Sequence, residues 1–174
     1  MNELSGLICA VYSVCSWGAP TPAPPVDNNL TINIDDHLTE LYLDGVRVTN
    51  LPYADDWINP DSIPLPDSTK VIAVYGENVQ DGALLVASDL GGWVLSDHLW
   101  KYSTKFFQNW MNVDFDDSAW NLSYVLRTCN DGYTWTRFPG ISRFASLIWS
   151  PNCFDFDTND NKLYFRLRIN RGRC

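Results

Sequence analysis

Two adjacent carboxylates, Asp35-Asp36, stand just ahead of a hairpin-like stretch. Calcium prefers several oxygen ligands, and a rigid loop can aim two neighbouring carboxylates at one ion, so the pair is a candidate calcium site. The plainer expectation is a turn in which one Asp accepts a local backbone N–H and its neighbour is solvated. A second acidic run, Asp114-Phe115-Asp116-Asp117-Ser118, has the carboxylate pairing that glycoside hydrolysis uses. His37 and His98 are the two histidines. Neither stands at a spacing from Cys or carboxylate that metal binding or nucleophilic catalysis employs. With no Gly-rich phosphate loop and no paired metal-ligand motif, no residue is assigned a catalytic role.

Eight tryptophans occur among 174 residues. Aromatic faces stack on sugar rings while carboxylates and amides take the hydroxyls, an arrangement typical of polar small-molecule sites. Trp57 follows Asp55-Asp56, Trp93 follows Gly91-Gly92, and Trp135 closes Asn130-Asp131-Gly132-Tyr133-Thr134. These contexts suit loop tips. Asp35, Asp36, Trp57, Trp93 and Trp135 are therefore the candidate carbohydrate-binding residues. Twelve Lys plus Arg against 21 Asp plus Glu give a net charge of −9, a field that repels nucleic acid. The charge is uneven. Asp27 to Asp67 holds nine carboxylates and a single basic residue, Arg47, whereas Lys162 to Arg173 holds five basic residues and no acid.

The elements that must position these residues read as strands. With 45% hydrophobic and 19% charged residues, the chain can bury one core. Leu30, Ile32 and Ile34 alternate with Thr31 and Asn33, the period of a half-buried strand. Leu41 to Leu43 and Val46 to Val48 flank Asp44-Gly45, the strongest short hairpin signal. Further short strands are expected at 70–75, 83–87, 92–95, 99–103, 124–128, 146–149 and 162–169. In the last, Leu163, Phe165, Leu167 and Ile169 face one way and Tyr164, Arg166 and Arg168 the other. No window shows a helical period. The expected class is an all-β antiparallel sandwich.

Leu4 to Val14 is an apolar run too short to span a bilayer and of the length of a signal-peptide core, with Ser16 and Gly18 placed for cleavage before Ala19. The expected organisation is a signal peptide over 1–18, a Pro-rich spacer over 19–26, a domain over 27–170 and a tail over 171–174. Asn29-Leu30-Thr31 and Asn121-Leu122-Ser123 are N-glycosylation sequons, which act only in a secreted chain. Removing 1–18 leaves Cys129, Cys153 and Cys174. A Cys129–Cys153 bridge is expected, since both flank strand-like segments and such a loop gains roughly 3 kcal/mol by chain entropy. Cys174 is then free, intermolecular or a remnant of expression.

Several stretches in chain order, from Ile34-Asp35-Asp36-His37-Leu38-Thr39-Glu40-Leu41-Tyr42-Leu43-Asp44-Gly45 through Val71-Ile72-Ala73-Val74 with Asn78, Gly82-Ala83-Leu84-Leu85, Trp100-Lys101, Trp110, Phe115-Asp116-Asp117-Ser118-Ala119-Trp120, Ile148-Trp149 and Tyr164-Phe165-Arg166, resemble the galactose-binding-domain-like jelly roll. That fold occurs as an accessory domain of glycoside hydrolases and in secreted animal proteins. The resemblance covers about residues 27–170 and implies that Trp100, Trp120 and Trp149 pack in the core. It also implies that the Asp116-Asp117-Ser118 run bonds loop backbone instead of performing catalysis. The Asp35-Asp36 pair is similar to that of the anthrax-protective-antigen-type domains of yeast flocculins, which implies that calcium held by the pair would also bind sugar hydroxyls.

The resulting expectation is a secreted, non-catalytic, lectin-like module that binds glycan and has no membrane span. Its alternative is an acidic structural protein of the extracellular matrix, calcium- or mineral-associated, that binds no sugar.

Overall fold

The computed structural model describes residues 28–79, 82–126, 138–153 and 159–171. The described residues form eleven strands: β1 (Asn29–Asp35), β2 (His37–Leu43), β3 (Val46–Arg47), β4 (Asp61–Pro64), β5 (Val71–Glu77), β6 (Leu84–Asp89), β7 (Lys101–Ser103), β8 (Asn121–Leu122), β9 (Tyr124–Val125), β10 (Ile148–Trp149) and β11 (Lys162–Arg168). A 3-10 turn over Asn159–Asn161 leads into β11. The strands form two antiparallel sheets, β4-β1-β6-β10-β9 and β3-β2-β5-β11-β7-β8, which pack together with their apolar faces inward. The expected all-β class with two antiparallel sheets is observed. Among the described residues no helix is long and apolar enough to cross a membrane.

The hairpin at Asp44-Gly45 forms as its turn chemistry requires. Both residues have positive φ, 50° and 84°, so the turn twists with its strands, and Leu43 pairs with Val46 and Tyr42 with Arg47. The sheets come into close contact where β1 faces β5. A Cβ built on Gly76 would stand 2.6 Å from Ile34 Cδ1, so glycine is required there by the neighbouring side chain. Leu30, Ile32, Ile34, Leu85, Trp149 and Phe165 fill the interior around that contact.

β1 departs from its half-buried expectation, since Thr31, Asn33 and Asp35 on its other face are buried too. Loops cover that face. Asn33 Nδ2 donates to the carbonyls of Asp56 (3.4 Å) and Trp57 (3.2 Å), and Gly140 lies over Thr31. β4 carries no sequence signal because Pro60, Pro64 and Pro66 punctuate it; as an edge strand it tolerates the missing N–H groups. The expected strand at 92–95 is reduced to one bridge, Ser88 with Leu95.

A second apolar cluster lies on the outer face of the β2-β5-β11 sheet, where segment 104–120 covers Val71 and Ala73 with Trp110 and Trp120. Arg166 pins it. Its side chain is completely buried, with Nε 2.9 Å from Asp117 Oδ2, and Nη1 donates to the carbonyls of Trp110 and Asn112. Lys101 Nζ is also 2.9 Å from Asp117, on Oδ1, and Arg168 Nε is 3.4 Å from Oδ2. Burial pushes the Asp117 carboxyl up, but Arg166 and Lys101 overcome it and hold it below the usual range.

Candidate functional site

Trp93 stands at the end of the sandwich where β1 begins. A buried carboxylate organises its loop. Asp89 Oδ1 accepts the Val94 N–H at 2.8 Å and Oδ2 accepts Asn28 Nδ2 at 2.8 Å, while Asn28 Oδ1 accepts the Gly91 N–H at 3.0 Å. The Trp93 ring lies against Gly91, where a Cβ would fall 2.8 Å from Cδ1. The indole is thus seated on backbone and still 45% exposed. From beneath, buried Trp100 donates Nε1–H to the Leu95 carbonyl at 3.0 Å and fixes the descending arm of the loop.

Around that indole is a groove of about 310 Å³ lined by Gly92, Trp93, Leu95, Asp97, Leu99, Leu167, Arg168 and Asn170. Such a volume lies at the small end of ligand sites, and its make-up is an apolar wall with a few polar groups. Asp97 Oδ1 accepts the Leu99 N–H at 2.7 Å, which leaves Oδ2 as an acceptor. Arg168 donates Nη1–H to Val113 O (2.9 Å) and Nη2–H to Phe115 O (2.6 Å). Each terminal nitrogen carries a second N–H. The guanidinium is therefore held in place by the loop carbonyls and still able to donate.

Asp35 and Asp36 lie at the opposite end, and the loop that carries Trp57 crosses the outer face of β1 at Asn33. β1 runs seven residues between the two ends, roughly 20 Å at the usual strand rise. The expected local turn is not what forms. Asp36 Oδ2 accepts the N–H of Val79 at 2.7 Å, 43 residues away, and Asp36 N–H donates to Glu77 O at 3.2 Å. Asp35 is 5% exposed. Burial, then the hydrogen bond and charge of Asp36, push its carboxyl up to about 8, so at neutral pH it holds a proton shared toward Asp36. Asn78, between Glu77 and Val79, has a buried Oδ1 with no partner.

Trp57 sits 44% exposed on the loop over this end. Asp56 Oδ1 accepts the N–H groups of Ile58 (2.9 Å) and Asn59 (3.1 Å), and Oδ2 accepts Asn59 Nδ2 (2.8 Å); the Asn59 side chain and these amides hold Asp56 below the usual carboxylate range. His37, at the start of β2, places Nδ1 2.9 Å from Asp55 Oδ1 and ties the same loop to β2.

Among the described residues no group of three or more His, Cys, Asp or Glu gathers to hold a metal. The Asp116 run is occupied structurally. Asp116 Oδ1 accepts the Ser118 N–H at 2.9 Å, Asp117 is the counterion of Arg166, and Trp120 is buried. Trp100 and Trp149 are completely buried in the main core.

The structure thus separates the candidate carbohydrate residues between two ends instead of joining them. Trp135, Cys129 and Cys174 lie outside the described residues, and Cys153 is buried. Of the sequon residues, Asn29 opens β1 half-buried and Asn121 is exposed on β8. Sequence reasoning missed Asp97, Arg168 and Asn170 as groove residues. The alternation of β11 does turn Arg168 away from the core, but nothing in the sequence places it beside Trp93. No protein-family model, curated protein or solved structure matches the chain.

Proposed function

We propose that the protein is a secreted, non-catalytic carbohydrate-binding module of the jelly-roll, galactose-binding-domain-like type. The observation that carries the reading is the Trp93 groove. A half-exposed Trp93 seated on glycine backbone borders a groove that Asp97, Leu99, Arg168 and Asn170 also line, a space suited to a sugar residue. Asp97 and Asn170 take hydroxyls, Arg168 donates to ring or hydroxyl oxygens, and Trp93 with Leu99 covers the apolar face of the ring. The charges of Asp97 and Arg168 offset each other, which suits a neutral sugar. The jelly-roll assignment is supported by the way β1, β2, β4, β5, β6, β7, β9 and β11 alternate between the two sheets in chain order.

Secretion brings the remaining expectations with it: cleavage before Ala19, glycans on Asn29 and Asn121, and a Cys129–Cys153 bridge. The exposure of Asn121 supports its modification. Cys153 is disulfide-bonded, and the proposal is that Cys129, not Cys174, is its partner. Calcium belongs to the other end, where Asp35, Asp36 and Asn78 would hold it and release the shared proton.

The test is a glycan array of the secreted chain, with calcium and with chelator, followed by titration of Trp93→Ala. Loss of sugar binding with an unchanged melting temperature is expected. Binding lost in Trp57→Ala and retained in Trp93→Ala would move the site to the acidic end. No hit under either condition would overturn the sugar reading and favour the acidic matrix protein, for which the nine carboxylates between Asp27 and Asp67 speak.

A further inference from the structure

The outer face of the larger sheet carries a pair of tyrosines that the Trp93 groove does not use. Tyr75 on β5 stands directly opposite Tyr164 on β11, where the two central strands of that sheet meet. Residues opposed in this way lie about 5 Å apart at Cβ, so the two rings rise side by side. They stack with centroids 4.6 Å apart and planes 11° from parallel. Among the described residues no other two tyrosine rings touch. Trp110 and Phe106 meet Tyr164 edge-on at 5.1 and 5.9 Å, which keeps its ring against Tyr75.

The hydroxyl ends are equally ordered. Tyr75 Oη–H donates to Glu77 Oε1, and Lys162 Nζ lies 3.5 Å from the same oxygen. Burial, then the hydrogen bond and charge of Glu77, push the Tyr75 phenol up. Burial, then the charges of Glu40 and Glu77, push the Tyr164 phenol up against the opposing hydrogen bond of Tyr75. Both phenols therefore carry their protons at neutral pH, and an electron leaves either one readily only if its proton leaves too. Glu77 is placed to take the first.

We propose that Tyr75 and Tyr164 form an oxidative cross-linking site, at which hydrogen peroxide and a one-electron peroxidase join the two rings through a carbon–carbon bond. Each phenol gives up one electron and its hydroxyl proton, Tyr75 through Glu77 and Tyr164 through water. The two radicals couple at a ring carbon next to each hydroxyl, Cε of either ring. Each coupled carbon then passes its hydrogen to the oxygen of its own ring, which restores both phenols. Two hydrogens leave the protein in all, and the peroxide takes both electrons and both protons to become two waters. The fold supplies proximity, since each radical already touches its partner. The bond ties β5 to β11 at the centre of the sheet, and no thiol exchange reverses it. The pair lies outside the groove, so the cross-link stands whether or not the protein binds sugar.

The experiment treats the full chain with hydrogen peroxide and a catalytic amount of a haem peroxidase, then maps peptides by mass spectrometry. The expected product is a monomeric chain lighter by two hydrogens, with the peptides of Tyr75 and Tyr164 joined and the yield unchanged on dilution. Tyr75→Phe and Tyr164→Phe each keep a ring in the stack and should lose the joined peptide completely. Glu77→Gln should couple at least about tenfold more slowly, since a placed base contributes more than water does; wild-type rates there would overturn the part given to Glu77. Folded wild type that yields no joined peptide would overturn the proposal. So would links made instead through Tyr53 or Tyr124, which are 49% and 43% exposed, links between chains that fade on dilution, or an equal yield from chain unfolded in urea.

Discussion

Asp117 and Arg166 allow the sharpest energetic test. Arg166 is 1% exposed, and its Nη2 already has no partner among the described residues. Asp117→Asn removes the charge that compensates this guanidinium and leaves a buried cation with carbonyls alone. Breaking a buried pair from one side costs about 3–5 kcal/mol, a third or more of the stability of an average domain. Arg166→Met is milder. Asp117 keeps Lys101 at 2.9 Å and Arg168 at 3.4 Å, and the Asn112 carbonyl keeps the Phe115 N–H, so the loss comes mainly from the Trp110 carbonyl that gives up its donor, about 1–3 kcal/mol. The double variant Asp117→Asn with Arg166→Met removes both charges, and its destabilisation should fall short of the summed single changes by at least about 2 kcal/mol. Urea unfolding followed by tryptophan fluorescence measures all of these. Additive free energies, or an Asp117→Asn loss below about 1 kcal/mol, would refute the view that segment 104–120 is anchored by this pair.

Other outcomes follow from the same geometry. Trp120→Ala should lower stability by about 3–5 kcal/mol, because the ring packs on Trp110 and Phe115, whereas Trp57→Ala should leave the melting temperature nearly unchanged; equal losses would mean that the aromatics are misassigned. Gly76→Ala should destabilise strongly, since the new methyl must displace Ile34, and a wild-type denaturation midpoint would contradict the close sheet contact. For Asp35, the folded carboxyl keeps its proton to about pH 8 and the unfolded one to the ordinary 3.8. The folded state therefore binds more protons across that window, and stability should fall as pH rises through it and level off above. Asp35→Asn should match wild type near pH 4 and exceed it at pH 8.5; parallel melting curves would exclude the shared proton.

What the sequence disclosed was whatever depends on local chemistry. Asp44-Gly45 announced its hairpin, and the alternation from Leu163 to Ile169 separated Phe165 from Arg166 correctly. The outer coverings stayed hidden. The pattern of β1 gives no sign that distant loops bury Thr31, Asn33 and Asp35, and β4 is masked by its prolines. The site was legible in part, because Trp93 behind two glycines is a local signal. Arg168 and Asn170 join it only through the packing of the distant segment 167–170 against 92–99. Asp35-Asp36 was noticed for the right reason, its paired charge, but its long-range bond to Val79 has no local signature.

The position of β11 bears on how the chain reaches this structure during synthesis. The last described strand lies between β5 and β7, so until it emerges from the ribosome the larger sheet consists of two halves with a gap at its centre. Everything up to Arg168 must be made before that gap closes, and the long sequence separations involved slow the closing step. Meanwhile Tyr75 lacks its stacking partner Tyr164, Asp117 lacks Arg166, and Trp110 and Trp120 have no closed sheet to cover. A nascent chain halted before Lys162 would expose those rings to chaperones, and the arrival of seven residues would withdraw them together.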